Sequence, residues 1–317
     1  MVSVATTAES NQQNVDFECV GNHFILPDGS TSLGATHGAI VVDEAGKIYC
    51  SMDSGDHGLL VYNAAGKPVD AIAPGLTGIH GMCIERERDQ QFIYAAHLAG
   101  QQVLKLRLDG SVVWAIKGPP TESGKYNDGS KYKPTAVAVG PNGDVYVADG
   151  YGSNWIHRFD KDRNYIRSFG GRGKDNGQFQ TCHGLALDTR GGKPLLLVCD
   201  RENRRLQHLD LNGNFVAVIA EDLRRPCAVA FHGDYVAIAE LEGRATVLDG
   251  SNKIVAHLGD NPDRKQWANF NVPTDAWQDG IFTAPHGVAF DATGNLLIMD
   301  WNRAGRLTRM NRSATAE

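Results

Sequence analysis

A chain of 317 residues can bury a large core but exceeds the usual single-domain size, so internal repeats or two domains are the organisations to test first. Its 36 glycines, 12 prolines and 21% charged residues suit an all-β protein with many tight turns. A net charge of −6 supplies no basic footprint for nucleic acid or an acidic membrane, and six cysteines without a CxxC pair read as reduced thiols.

The opening segment MVSVATTAESNQQN has neither a basic start nor an apolar run. Residues 1–14 are therefore expected to be disordered, with no signal peptide and no transmembrane span. Together with the reduced thiols, this makes the cytoplasm the expected location. Residues 15–312 are expected to form one domain, followed by a tail at 313–317.

From there one unit recurs. It runs from a small residue or proline through His, Thr or Cys and then Gly or Ala to an apolar run, a turn, a second apolar run and an acidic residue. It begins at Thr36-His37-Gly38, Ile79-His80-Gly81, Pro134-Thr135-Ala136, Cys182-His183-Gly184, Pro226-Cys227-Ala228 and Pro285-His286-Gly287. The third copy is the clearest, with strands expected at 136–139, 144–148, 155–159 and 165–169 and Asn142-Gly143 closing the first hairpin. Six units of roughly 45 residues describe four-stranded blades around an axis, a six-bladed β-propeller of NHL-like repeats. The last unit has only three strands, so the segment 17–26 is expected to supply the fourth and close the ring. Two insertions, 118–133 and 260–283, read either as packed excursions or as lids; the second carries Trp267, Phe270, Trp277 and Phe282.

Residues at one repeat position on the innermost strands form a ring around the axis. His37, His80, His183 and His286 hold that position, with Thr135 and Cys227 in the other two blades. His80, His183 and His286 belong to alternate blades and should converge with near three-fold symmetry, the arrangement of a zinc (Zn2+) site with one open position. The alternative is a ring of polar side chains bonded to channel water. His37 is left as a fourth ligand, a general base or a plain channel residue. A second ring, after each second strand, holds Asp53, His97, Asp149, Asp200, Glu240 and Asp300. Asp149, Asp200 and Asp300 read as braces for their own blades. His97 and Glu240 depart from that pattern and, with His57, are candidate substrate-binding residues.

The segments KPTAVAVGPNGDVYVADGYGSNWIHRF (133–159), QFQTCHGLALD (178–188) and VCDRENRRLQHLD (198–210) resemble the catalytic core of peptidyl-α-hydroxyglycine α-amidating lyase, a six-bladed NHL propeller. The resemblance implies zinc on His80, His183 and His286. It also implies a proton-transferring tyrosine at Tyr151 in the DGY motif and a substrate-contacting arginine at Arg201 in the DREN motif. A zinc-dependent lyase or hydratase acting on a small hydroxylated or peptide-like substrate follows, with His37 or His57 helping Arg201 position it. The chain departs from the family where Ser54 replaces an arginine before Gly55-Asp56-His57, and where Ala284 and Gly287 flank Pro285-His286. An aspartate stands at the latter place in the family and helps hold a structural calcium (Ca2+). A different substrate is therefore expected. Two other readings stay open: a metal-dependent lactone hydrolase, and a non-catalytic interaction module. No copper monooxygenase domain is expected beside the propeller.

Overall fold

The computed structural model describes residues 16–26 and 29–313. The segment expected to be disordered, 1–14, and residues 314–317 of the expected tail lie outside the described residues.

Alternating apolar residues and Asp-initiated turns build six four-stranded antiparallel sheets. The turn chemistry repeats: Asp160, Asp210, Asp249 and Asp291 each accept hydrogen bonds from the backbone N–H groups two and four residues on, at 2.8–3.0 Å. Such an aspartate fixes its own hairpin, the outer one at Asp160, Asp210 and Asp249 and the inner one at Asp291, without help from the rest of the fold. In the last sheet the strand Phe17–Val20 pairs with Arg306–Arg312, from Phe17 opposite Arg312 to Val20 opposite Arg309, and so closes the ring as expected. That pairing supplies backbone partners to what would otherwise be an exposed sheet edge.

The core is divided among the blade interfaces. Leu59, Ile72, Ile93 and Leu104 fill the first, and Tyr146, Ile156, Phe179 and Leu196 the third, all buried. Every neighbouring pair of blades, including six with one, has such a cluster. Truncating one of these side chains, Ile156→Ala for example, would cost about 2–5 kcal/mol because the surrounding sheets cannot collapse into the void. Among the described residues no helix is long and apolar enough to cross a membrane.

Each blade aims one residue at the axis, and four do so by a register slip. Ile79 pairs with His97 but Gly81 pairs with Ala96, which leaves His80 unpaired in the ladder. The same slip occurs at His183, Cys227 and His286. A bulge of this kind turns a side chain out of the pleat alternation. His37 does not share it: the inner strand of its blade is only Ile40–Val42, and His37 precedes it, half-buried. The four histidines of the sequence pattern are thus three of one kind and one of another.

The insertions are packed rather than loose. Tyr126 of the first donates its hydroxyl to Asp149, 3.0 Å away, and Tyr132 is buried beside it. In the second, Phe282 is fully buried and the Trp267 indole N–H donates to the Asn261 carbonyl at 2.9 Å. Phe270 stacks on Trp301 with ring centres 4.9 Å apart, and the Ala268 N–H donates to the Leu241 carbonyl at 3.0 Å. This second segment is nonetheless a wall of the axial chamber, which Ala268 lines.

Candidate functional site

The ring centres of His80, His183 and His286 lie 4.7, 4.8 and 4.6 Å apart, a nearly equilateral triangle across the axis. All three side chains are buried, and one nitrogen from each falls within 4.8 Å of the others. The Nδ1 of His80 sits 2.8 Å from the Thr135 carbonyl, and that of His183 sits 2.8 Å from the Cys227 carbonyl. A carbonyl only accepts, so both imidazoles carry their proton on Nδ1 and present a lone pair at Nε2.

The glycine after each histidine makes this possible. A Cβ on Gly81 would stand 2.3 Å from the Thr135 carbonyl oxygen, and one on Gly184 2.5 Å from that of Cys227. The His-Gly pair is therefore a unit in which the glycine admits the next blade's carbonyl and the carbonyl orients the imidazole. Sequence reasoning weighed the histidines alone; the recurring glycine was the visible signal for their support.

Burial pushes the His80 imidazole down to about 3, helped by His37, and holds His183 and His286 well below the ordinary value. Three neutral imidazoles, two of them oriented by a neighbouring carbonyl, are the donor set of a zinc-type ion, and the Nε2 of His80 is buried with no partner of its own. The residues fit zinc. They do not fit calcium, which takes oxygen ligands. At the position where the resemblance implies a calcium-binding aspartate, a Cβ on Gly287 would stand 1.7 Å from the Gly38 carbonyl oxygen. The backbone of blade one occupies the place of that side chain.

Tyr151 and Arg201 meet the triad. The Tyr151 hydroxyl lies 3.1 Å from His183 Nε2 and accepts a hydrogen bond from Arg201 Nη1 at 3.0 Å. Burial raises the Tyr151 phenol above its ordinary value while Arg201 pulls it back. Arg201 Nε also donates to Glu202 at 2.9 Å.

The remaining candidates separate. His37 places Nδ1 2.6 Å from Asp53 Oδ2, in a geometry that does not form a hydrogen bond. Its ring centre lies 5.2 Å from that of His80 and 6.1 Å from that of His286, beside the triad and outside it. His57 is exposed at the start of the strand His57–Tyr62 and does not line the chamber.

His97 and Glu240, expected as substrate-binding candidates, take the same bracing place as the aspartates. His97 bonds through Nε2 to the Thr77 carbonyl at 2.9 Å and through Nδ1 to Gln102 at 3.3 Å. Glu240, fully buried, accepts from the Arg224 N–H, from the Arg244 guanidinium at 2.8 and 3.0 Å, and from the Thr246 hydroxyl. Asp149, Asp200 and Asp300 likewise accept from backbone N–H groups of their own blades. Both ring nitrogens of His97 and both carboxylate oxygens of Glu240 are thus engaged within the fold.

On one side of the triad a chamber of about 250 Å³ is lined by His37, Tyr151, Arg201, Arg225, Leu241 and Trp301, among others. Arg225 and Trp301 were not singled out from sequence. Each lies in a loop between strands, and only the ring closure brings them together. Beyond the opposite side the side chains lining the channel are apolar apart from Glu85.

Fold and site together describe a propeller with a buried, metal-competent imidazole triad on its axis. An NHL repeat model matches residues 132–159. The chain is 33% identical over 148 residues to peptidyl-glycine α-amidating monooxygenase A of Xenopus laevis, covering 44% of this chain and 15% of that protein. It is 29% identical over 144 residues to a probable peptidyl-α-hydroxyglycine α-amidating lyase of Caenorhabditis elegans, covering 44% of this chain and 39% of that one. The matches thus span well under half the length of these relatives. Among solved structures, a streptogramin B lyase superposes with a TM-score of 0.60 at 13% identity, over 96% of this chain and 100% of its own. A gluconolactonase of Xanthomonas campestris does so with 0.59 at 12% identity, over 89% of each chain. At those identities the structural likeness establishes the propeller and nothing finer. The sequence likeness is to the amidating lyases and the monooxygenases that carry that name.

Proposed function

We propose that this propeller is a zinc-dependent lyase acting on a small, hydroxylated, carbinolamide-like substrate in the chamber beside the histidine triad. The observation that carries the reading is the triad itself with a Tyr151–Arg201 pair bonded onto one of its members. The names of the sequence relatives support the reaction class. No carboxylate joins the triad among the described residues, which disfavours a calcium-type lactone hydrolase.

A zinc ion, when bound, supplies polarisation of a substrate hydroxyl and lowers its pKa. The protein's own residues do the rest. Tyr151 stands where it can take the hydroxyl proton; the carbon–nitrogen bond then breaks, leaving a carbonyl, and the expelled amide nitrogen recovers a proton from the same phenol. Arg201, 3.0 Å from that oxygen, stabilises it as a phenolate. Burial of the three histidines keeps competing water and protons away from their nitrogens.

The test is elemental analysis of purified protein together with turnover of an N-acyl-α-hydroxyglycine. About one zinc per chain is expected, lost in His80→Ala, His183→Ala and His286→Ala. Tyr151→Phe should keep its zinc and lose at least about 100-fold in kcat. Zinc-free wild-type protein with unaltered mutants would overturn the reading.

A further inference from the structure

We infer that Arg225 reads the charge of the substrate: with Arg201 it forms a subsite for a carboxylate on the blade-four and blade-five side of the chamber. The inference rests on the chamber being the substrate site of the proposed function. Arg225 Nε and Nη2 grip the two oxygens of Glu202 at 3.0 and 2.6 Å, and Arg201 Nε donates to the same carboxylate at 2.9 Å. One carboxylate thus holds two guanidinium groups side by side. Two cations share one anion there, and each arginine has a terminal nitrogen that Glu202 does not use.

On blade one the chamber is lined by His37, whose Nδ1 faces Asp53, and no cationic side chain stands there. The two guanidiniums are the only side chains among those lining the chamber that carry a permanent positive charge. An anionic group entering it is therefore drawn toward blade five, and a planar carboxylate matches paired N–H donors. The apolar remainder of such a ligand would lie against Leu241, Ala268 and Trp301.

The backbone adds an independent observation. Arg225 has φ of +59°, and the equivalent residues two before the ring position in blades two and four, Gly78 and Thr181, have +82° and +62°. The blade needs a left-handed residue at this place, but nothing in that geometry calls for a long cationic side chain. The Arg225 carbonyl serves the fold by accepting from the Leu241 N–H at 3.0 Å; its guanidinium is spent on the chamber.

Benzoate, with benzamide as the uncharged control, is the probe, titrated calorimetrically into the protein as purified and again after metal chelation. Wild type should bind benzoate and discriminate against benzamide. Arg225→Met should weaken benzoate by about tenfold or more with little effect on benzamide, and Arg225→Lys should fall between, since it keeps charge without the planar fork. Unchanged zinc content and melting temperature in both variants show that the fold is intact. Equal benzoate affinity in wild type and Arg225→Met, no benzoate binding by wild type, or equal affinity for the two probes overturns the inference. Binding that vanishes on chelation and ignores Arg225 also overturns it, while leaving the zinc reading in place. Arg225-dependent binding in a protein that holds no zinc would instead sink the lyase reading and leave the subsite standing.

Discussion

Replacing Gly184 by alanine isolates the support of the metal site from its ligands. Gly184 has an ordinary φ, so the substitution strains no torsion; its effect is contact alone. The new Cβ would lie 2.5 Å from the Cys227 carbonyl oxygen and 2.8 Å from Cys199 Sγ. Ordinary contact is 3.4 Å, so that carbonyl must retreat by about 0.9 Å, the difference from 2.5 Å. It is the same oxygen that takes the His183 Nδ1 proton at 2.8 Å, and a retreat of that size lengthens the bond to about 3.7 Å, which is no longer a hydrogen bond. The overpacking should cost about 1–3 kcal/mol, and the lost orientation of a ligand about 10–100-fold in zinc affinity. Competition with a chromophoric chelator measures the affinity and thermal melting the stability. Gly191→Ala, with nothing within 4 Å of its Cβ, is the neutral control. Wild-type zinc affinity in a folded Gly184→Ala protein would refute the claim that the neighbouring carbonyl sets the imidazole.

Two further outcomes follow from the same contacts. Metal-free protein should lose stability as pH falls: His80 and His157 are pushed down to about 3, and His183 and His286 also lie well below 6.5. The unfolded chain then takes up protons below about 6.5 that the folded chain refuses. Stability is complete above that pH and declines by about 1.4 kcal/mol per pH unit for each such histidine, so a flat melting curve between pH 7 and 5 would contradict it. Glu240→Ala should destabilise by about 3–5 kcal/mol by stranding the buried Arg244, without changing zinc content. A stable Glu240→Ala protein with altered substrate affinity would restore the role expected from sequence.

The repeat was legible because local chemistry writes it. Asp-x-x-Gly turns, Asn142-Gly143 and alternating apolar residues specify hairpins with no reference to distant chain, and six such units can bury their faces only by packing on one another. The alternation of His80, His183 and His286 could likewise be read from spacing, since equal repeats place equal positions around one axis. Three things depended on closure of the ring. His37 looked equivalent to the triad until the short strand Ile40–Val42 left it out of the bulge that aims the others. His97 and Glu240 looked available until their buried turns claimed their lone pairs. Arg225 and Trp301, 76 positions apart in the chain, share a chamber only because blades five and six come together across the axis. Sequence by itself determined what each blade is and which face it buries, because those are local matters of turn and alternation. The tertiary structure decided which polar groups remain free to meet a ligand, because that depends on what every other polar group has already bonded.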